Sequence, residues 1–264
     1  MLECVINVSE GRRLDVVELV ADRAGGSLLD LHVDGDHNRA VLTLAGPAVE
    51  ADARSLATAA VEAIDLGFHV GAHPRTGAVD VVPFVPLEGS SMDDAVAARD
   101  RFASWLTAEL AVPCRTYGPD GPSLPELRRD LRGVAGHPTA GVTCVGARSV
   151  LVAYNVWLRP GVGLAEARSV AAEVRAPSVR SLGIDVGGQA QVSFNLIDPL
   201  VAGPAAAFDA VATRVAVERA ELVGLVPAAV LHAIPSDRWE VLDLAPSSTI
   251  EARLSETGLN GGSF

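Results

Sequence analysis

The stretch RSLGIDVGGQAQVSFNLI, Arg180 to Ile197, decides the architecture. Two runs that alternate apolar and polar residues flank Gly187–Gly188, which is the signature of a β-hairpin. Upstream, "SVLVAYNVWL" (149–158) reads as a strand and Leu164–Val174 as a helix. Downstream, Pro204–Arg219 reads as a helix and "AELVGLVP" (220–227) as extended chain. The resulting order is β-α-β-β-α-β, the ferredoxin-like unit.

Working outward, the N-terminal half carries the same order with an extra helix and strand. "LECVINV" (2–8) reads as a strand. Leu14–Ala24 reads as a helix with Val17, Leu19 and Val20 inward, stopped by Gly25–Gly26. "SLLDLHV" and "RAVLTLAG" are strands joined by the polar turn "DGDHN". Pro47 opens an alanine-rich helix that runs to about Ile64. The prolines of "AVDVVPFVPL" (78–87) suit a strand end or a sheet edge. Met92–Leu110 is amphipathic, with Ala95, Ala98, Phe102 and Trp105 at helical spacing. "VPCRTYG" is a short strand, and Pro119–Gly141 a Gly/Pro-rich loop holding one charged helix, "LPELRRDLRG". The fold class is therefore α+β, an α/β sandwich of two ferredoxin-like subdomains, residues 1–148 and 149–264. A ligand site is expected in the crevice between them. The tail from Asp237 is acidic and partly helical, with "NGGSF" at its end expected to be disordered.

Composition narrows the function. Of the 264 residues, 49% are hydrophobic but only 4% aromatic, so the core is built from Ala, Val and Leu. All 21 basic residues are arginine, and the net charge is -12. Such a chain repels phosphate backbones, which argues against nucleic acid. An anionic ligand would need local arginines to hold it against the overall field. Cys4, Cys114 and Cys144 form no CxxC. No signal peptide and no membrane-spanning run is legible. The expectation is a soluble cytoplasmic protein with reduced thiols.

The chemistry-bearing residues fall into knots. In "HVGAHPRTG" (69–77), His73 precedes a proline, which favours extended backbone, and Gly71 and Gly77 permit a tight turn and close approach. An imidazole there can carry a proton either way near neutral pH. Arg75, two residues on, offers a carboxylate fork. The plain alternative is a surface turn with solvated histidines. In "HVDGDHNR" (32–39), alternation puts His32 and Asp34 on one face, while Asp36 and Asn38 are turn formers. His32, Asp34, His37, His69 and His73 also admit a metal reading, although no fixed ligand spacing such as HExxH is present. In "NVSEGR", Ser9 and Glu10 read as helix-cap chemistry, with backbone N–H groups that can bind an anion as the alternative. "HPTAGVTCVGAR" (137–148) either wraps a flat ligand or links the two halves. Asn155, Gln191, Ser193 and Asn195 lie within strands and either face solvent or line a cleft.

Together these motifs resemble the formiminotransferase family. "ECVINVSEGR" is similar to that family's E-C-V-x-N-x-S-E-G-R opening, and "GAHPRTGAVDVVPFVP" to its G-E-H-P-R-x-G-A-x-D-V-x-P-F-x-P segment. "GARSVLVAYNV", "QVSFNL" and "LVGLVP" follow in the right order, so the resemblance runs from Glu3 to about Pro227. It implies two α/β subdomains around a folate-binding tunnel, in a homodimer. It also implies transfer of a formimino group between glutamate nitrogen and N5 of tetrahydrofolate as co-substrate, a step of one-carbon metabolism and histidine catabolism. The family's catalytic histidine falls on His73. Ala72 stands where the family has glutamate. A family aspartate falls on His32, with Asp34 two residues on as its substitute. The implied substrate-binding set comprises Asn7, Ser9, Glu10, Arg39, Arg75, Arg148, Asn155, Gln191, Ser193 and Asn195. The folate-contacting loop falls on Arg132 to Gly141, with His137, Pro138, Thr139, Ala140 and Gly141 at its end. A non-catalytic folate-binding protein on the same scaffold and a metal-dependent hydrolase are the alternatives.

Overall fold

A computed structural model describes residues 1–71, 75–131 and 133–259. The proposed proton carrier His73, with Ala72, and the "NGGSF" tail lie outside them, as does Arg132. The chain folds as two compact units, Met1–Ser149 and Val150 onward.

The first unit runs β1 (Leu2–Val8), α1 (Leu14–Asp22), β2 (Leu28–Asp34), β3 (Arg39–Ala45), α2 (Val49–Ala63), β4 (Val79–Pro86), α3 (Met92–Leu110), β5 (Cys114–Tyr117), α4 (Leu124–Asp130) and β6 (Thr143–Ala147). Its six strands lie in the order β2-β3-β1-β4-β6-β5. Strict alternation on β1 sends Cys4, Ile6 and Val8 into the core with α1, α2 and α3, and turns Glu3 and Asn7 to the other face. Helix α4 covers part of that other face, where Leu127 and Leu131 pack on Val81, Tyr117 and Cys144.

Three local readings change. On α1 the buried stripe is Val16, Val17, Val20 and Ala21, and Leu19 is exposed, because 3.6 residues per turn place it off the stripe. Strand β4 is central rather than an edge, despite Pro83. Its ladder pairs Asn7 with Val81 and Cys4 with Phe84, and skips the stretch around the proline, which has no N–H to donate. The supposed linker contains β6, buried at all five positions and paired in parallel with both β4 and β5. A short unbroken apolar run is what a strand covered on both faces looks like.

The second unit runs β7 (Val152–Leu158), α5 (Leu164–Glu173), β8 (Val179–Val186), β9 (Gln189–Leu196), α6 (Pro204–Ala212), β10 (Val217–Val223), α7 (Ala228–His232) and α8 (Ile250–Glu256). Its antiparallel sheet has the order β10-β7-β9-β8. Strands β2-β3-β1-β4 repeat that arrangement in the first unit. The hairpin turns at Gly187 and Gly188, whose φ values of 61° and 90° fit the primed turns that strand twist prefers. Helix α6 stops at Ala212, well short of Arg219. The helix-tolerant residues Glu218 to Glu221 are drawn into β10 by pairing with β7, which buries Ala220 and Leu222. The core gathers Val156, Phe194 and Leu196 with wholly buried Tyr154, whose hydroxyl donates to the Leu242 carbonyl at 2.8 Å. Both units are thus α+β. Among the described residues no helix is long and apolar enough to cross a membrane.

Candidate functional site

Four polar loops meet at one end of the six-stranded sheet. Strand β1 runs antiparallel to β3 and β4, so the loop after β1 lies beside those leading into β3 and β4. Ser9 joins the first to the third: its hydroxyl donates to the Gly77 carbonyl and its N–H to the Ala78 carbonyl, both at 2.8 Å. The loop leading into β6 is pinned to the same place. Leu66 N–H donates to Thr139, Ala78 N–H to Ala140 and Val142 N–H to Thr76. Residues His137 to Gly141 close on themselves by two backbone bonds, and His137 Nδ1 accepts the Ala140 N–H at 3.1 Å. Gly77 is required here because a Cβ would sit 2.6 Å from the Val142 carbonyl oxygen, so the close neighbour is backbone.

Glu10 does not cap α1, whose N-cap Arg13 receives no side-chain cap bond; it holds the turn just before the helix. It is 3% exposed, and its Oε1 accepts the N–H groups of Gly11, Arg12 and Arg13 at 2.9–3.0 Å, while Oε2 takes Arg13 Nε at 2.6 Å. Burial alone would raise its pKa; these bonds outweigh that and lower it. The N–H groups of Gly11, Arg12 and Arg13 are therefore satisfied from within the turn.

Asn38 ties the knots together. It adopts φ +50°. Its Oδ1 accepts the Gly11 N–H at 2.9 Å, its Nδ2 donates to the Val70 carbonyl at 3.0 Å, and its own carbonyl accepts from Arg75 Nη1 at 3.2 Å. Arg75 also donates to the His37 carbonyl, and its Nη1 lies 2.7 Å from both ring nitrogens of His69. Burial and the Arg75 charge hold the His69 pKa below its ordinary value, which favours the uncharged imidazole. Asp34 spends its carboxylate on the same turn. Oδ1 accepts the N–H groups of Asp36 and His37, and Oδ2 meets His37 Nδ1 at 2.8 Å. Against the cost of burial, the His37 bonds push its pKa down to about 2. His32 lies two residues back on the edge strand β2, opposite Val41.

Arginines gather beside this knot. Arg39 donates to Asn7 Oδ1. Burial lowers its pKa to about 10 and the charge of Asp80 opposes that shift, so it stays cationic. Asp80 is 1% exposed. Its Oδ1 accepts the N–H and hydroxyl of Thr76 at 2.7 and 3.1 Å, and its Oδ2 pairs with Arg128 of α4. Arg148 does not join them. It follows the far end of β6, where Ala147 pairs with Phe84, and its N–H donates to the Phe84 carbonyl. The loops gather at the opposite end of that strand, roughly 17 Å away at the usual rise per residue. Sequence reading misses Asn38, Thr76, Asp80 and Arg128. A carboxylate inside the apolar run "AVDVVPF" is the signal that points to Asp80.

In the second unit, Asn155, Gln191, Ser193 and Asn195 share the sheet face turned away from Val192, Phe194 and the helices. Gln191 and Asn155 are buried, Ser193 is half-buried and Asn195 exposed. Asn155 Nδ2 and Trp157 Nε1 both donate to Glu221 Oε2, at 3.2 and 2.6 Å, and the Arg219 guanidinium lies 4.3 Å from the Trp157 ring centre. Among the described residues, no group of three or more His, Cys, Asp or Glu side chains is arranged to hold a metal ion.

The fold and site define an α+β protein with a loop-built, arginine-rich polar site at one end of its larger sheet. A family model, the formiminotransferase domain, N-terminal subdomain, matches residues 1–134. The chain is 34% identical over 271 residues to a formimidoyltransferase-cyclodeaminase of Sus scrofa, covering 86% of this chain and 50% of that protein. It is 31% identical over 269 residues to a glutamate formimidoyltransferase of Thermoplasma acidophilum, covering 86% and 88%. Over 184 residues it is 36% identical to a glutamate formimidoyltransferase of Streptococcus pyogenes serotype M1, covering 59% and 62%. The chain belongs to the formiminotransferase family. It spans about half the length of the formimidoyltransferase-cyclodeaminases that it matches.

Proposed function

We propose that this protein is a folate-dependent transferase that moves a formimino group between the nitrogen of glutamate and N5 of tetrahydrofolate, with His73 as general acid and base. The observation that carries the reading is the match to a glutamate formimidoyltransferase across 88% of that relative's length. The convergence of the "NVSEGR" and "HVDGDHNR" segments with Arg75 to Gly77 on one loop cluster supports it. Tetrahydrofolate would supply the accepting secondary amine. One carbon–nitrogen bond forms and another breaks, so one nitrogen must lose a proton and the other gain one. An imidazole titrating near neutral pH serves both steps. The charged form of His69 is disfavoured, and His73, the histidine of the H-P-R segment, is assigned to carry the proton. Arg39 and Arg75 are the forks for the substrate carboxylates. Asp34, held ionised by His37, and His32 are assigned supporting roles in proton transfer. A homodimer in the cytoplasm completes the proposal.

The test is a titration with folinate followed by a transfer assay with N-formiminoglutamate. Folinate should raise the melting temperature. His73→Ala should keep the fold and that shift, while lowering kcat by about 100- to 10,000-fold. A wild-type protein that binds folinate but transfers nothing would favour the binding-protein alternative.

A further inference from the structure

Asp80 is a carboxylate in the middle of a core. Its neighbours Val79, Val81 and Val82 are all buried. An ionised carboxylate at such a place is costly unless each oxygen is matched. Both oxygens of Asp80 are matched, to different parts of the fold. Oδ1 holds the N–H and hydroxyl of Thr76. Oδ2 holds Arg128, which α4 brings in from the far side of the sheet. The Thr76 carbonyl is taken by Val142 N–H at 2.8 Å, so Thr76 is gripped on both sides. The charge of Asp80 also favours the cationic forms of Arg39 and Arg75.

We propose that Asp80 is a positioning residue of the transfer reaction: through Thr76 it anchors the chain that directly follows His73 and Pro74 in sequence, and through Arg128 it ties that anchor to α4 and balances the arginine cluster. The proposal rests on the reading of His73 as the proton carrier, which stands three residues before Thr76 in sequence. Misplacing a catalytic group by about 1 Å can cost roughly 100-fold in rate without any loss of binding. A core carboxylate that served packing alone would have no such effect.

Asp80→Asn preserves the volume and the acceptor facing Thr76 while removing the charge. It should lower kcat by about 10- to 100-fold, leave KM for N-formiminoglutamate within about threefold, and preserve the melting shift with folinate. Thr76→Val, which loses one of the three bonds and keeps the charge, should lower kcat in the same direction by less. Wild type and His73→Ala are measured alongside. If His73→Ala is inactive and Asp80→Asn retains the wild-type kcat, the role of Asp80 is overturned while that of His73 stands. If wild type transfers nothing, the reading of the function fails and the role of Asp80 falls with it. Should Asp80→Asn not fold, Thr76→Val carries the same comparisons.

Discussion

Asn38 shows how much one side chain can organise from a left-handed backbone position. Its amide and carbonyl reach Gly11, Val70 and Arg75, joining its turn to two segments far away in the chain. From sequence it reads only as a turn former, because an Asn after D-G-D-H suits any turn and its long-range partners leave no periodic trace. Asp34 is the opposite case. Its place on one face with His32 follows from strand alternation, but its partner His37 follows from the turn, which spacing alone does not define. The Asp34 geometry carries a pH consequence. Its folded pKa, about 2, lies below the ordinary 3.8, so its contribution to stability is complete above that value. It is lost as pH falls from about 4 to about 2. Urea unfolding of wild type and Asp34→Asn should show wild type the more stable at pH 5, with the gap narrowing toward pH 2. A gap independent of pH would mean that the charge contributes nothing.

Among the elements, legibility follows periodicity. The hairpin β8–β9 and helices α2 and α3 stand out because alternation or helical spacing persists over many residues. Strand β6 does not, because its five small or apolar residues, glycine among them, carry no period to read. The boundary between α6 and β10 is equally hidden, since sheet pairing with β7 overrides local helix preference there. Strand β6 has a further demand. A Cβ on Gly146 would lie 2.0 Å from Cζ of Tyr117, whose ring sits against that glycine while its strand pairs with β6. Gly146→Ala must therefore displace a ring that is only 6% exposed. It should cost roughly 3 kcal/mol, the range for overpacking a full core, read as a lower denaturant midpoint with unchanged slope. A variant as stable as wild type would show that Tyr117 can move without strain.

At the scale of the whole chain, the β-α-β-β-α-β order of the second half is plain in the sequence, as is the family. The placing of the arginines is not, because it depends on which end of a strand each one follows: Arg128 joins the site and Arg148 does not. The net charge of -12 sets a further expectation. The substrates proposed above, a folate and a glutamate derivative, are anionic, so under that reading the distant acidic surface opposes their approach while Arg39 and Arg75 attract at short range. The Debye length falls from about 30 Å at 10 mM salt to about 8 Å at 150 mM, which removes the distant repulsion first. Accordingly kcat/KM should rise between those salt concentrations; a fall would show that the local arginines dominate the encounter. The tryptophans offer a way to watch such a molecule. Trp105 lies in the first unit beneath Arg54, whereas Trp157, bonded to Glu221, and Trp239, bonded to the Ile234 carbonyl, lie in the second. Intrinsic fluorescence is thus divided by unit, and single-tryptophan versions of the chain would give each half its own emission signal for following the order in which the two halves melt.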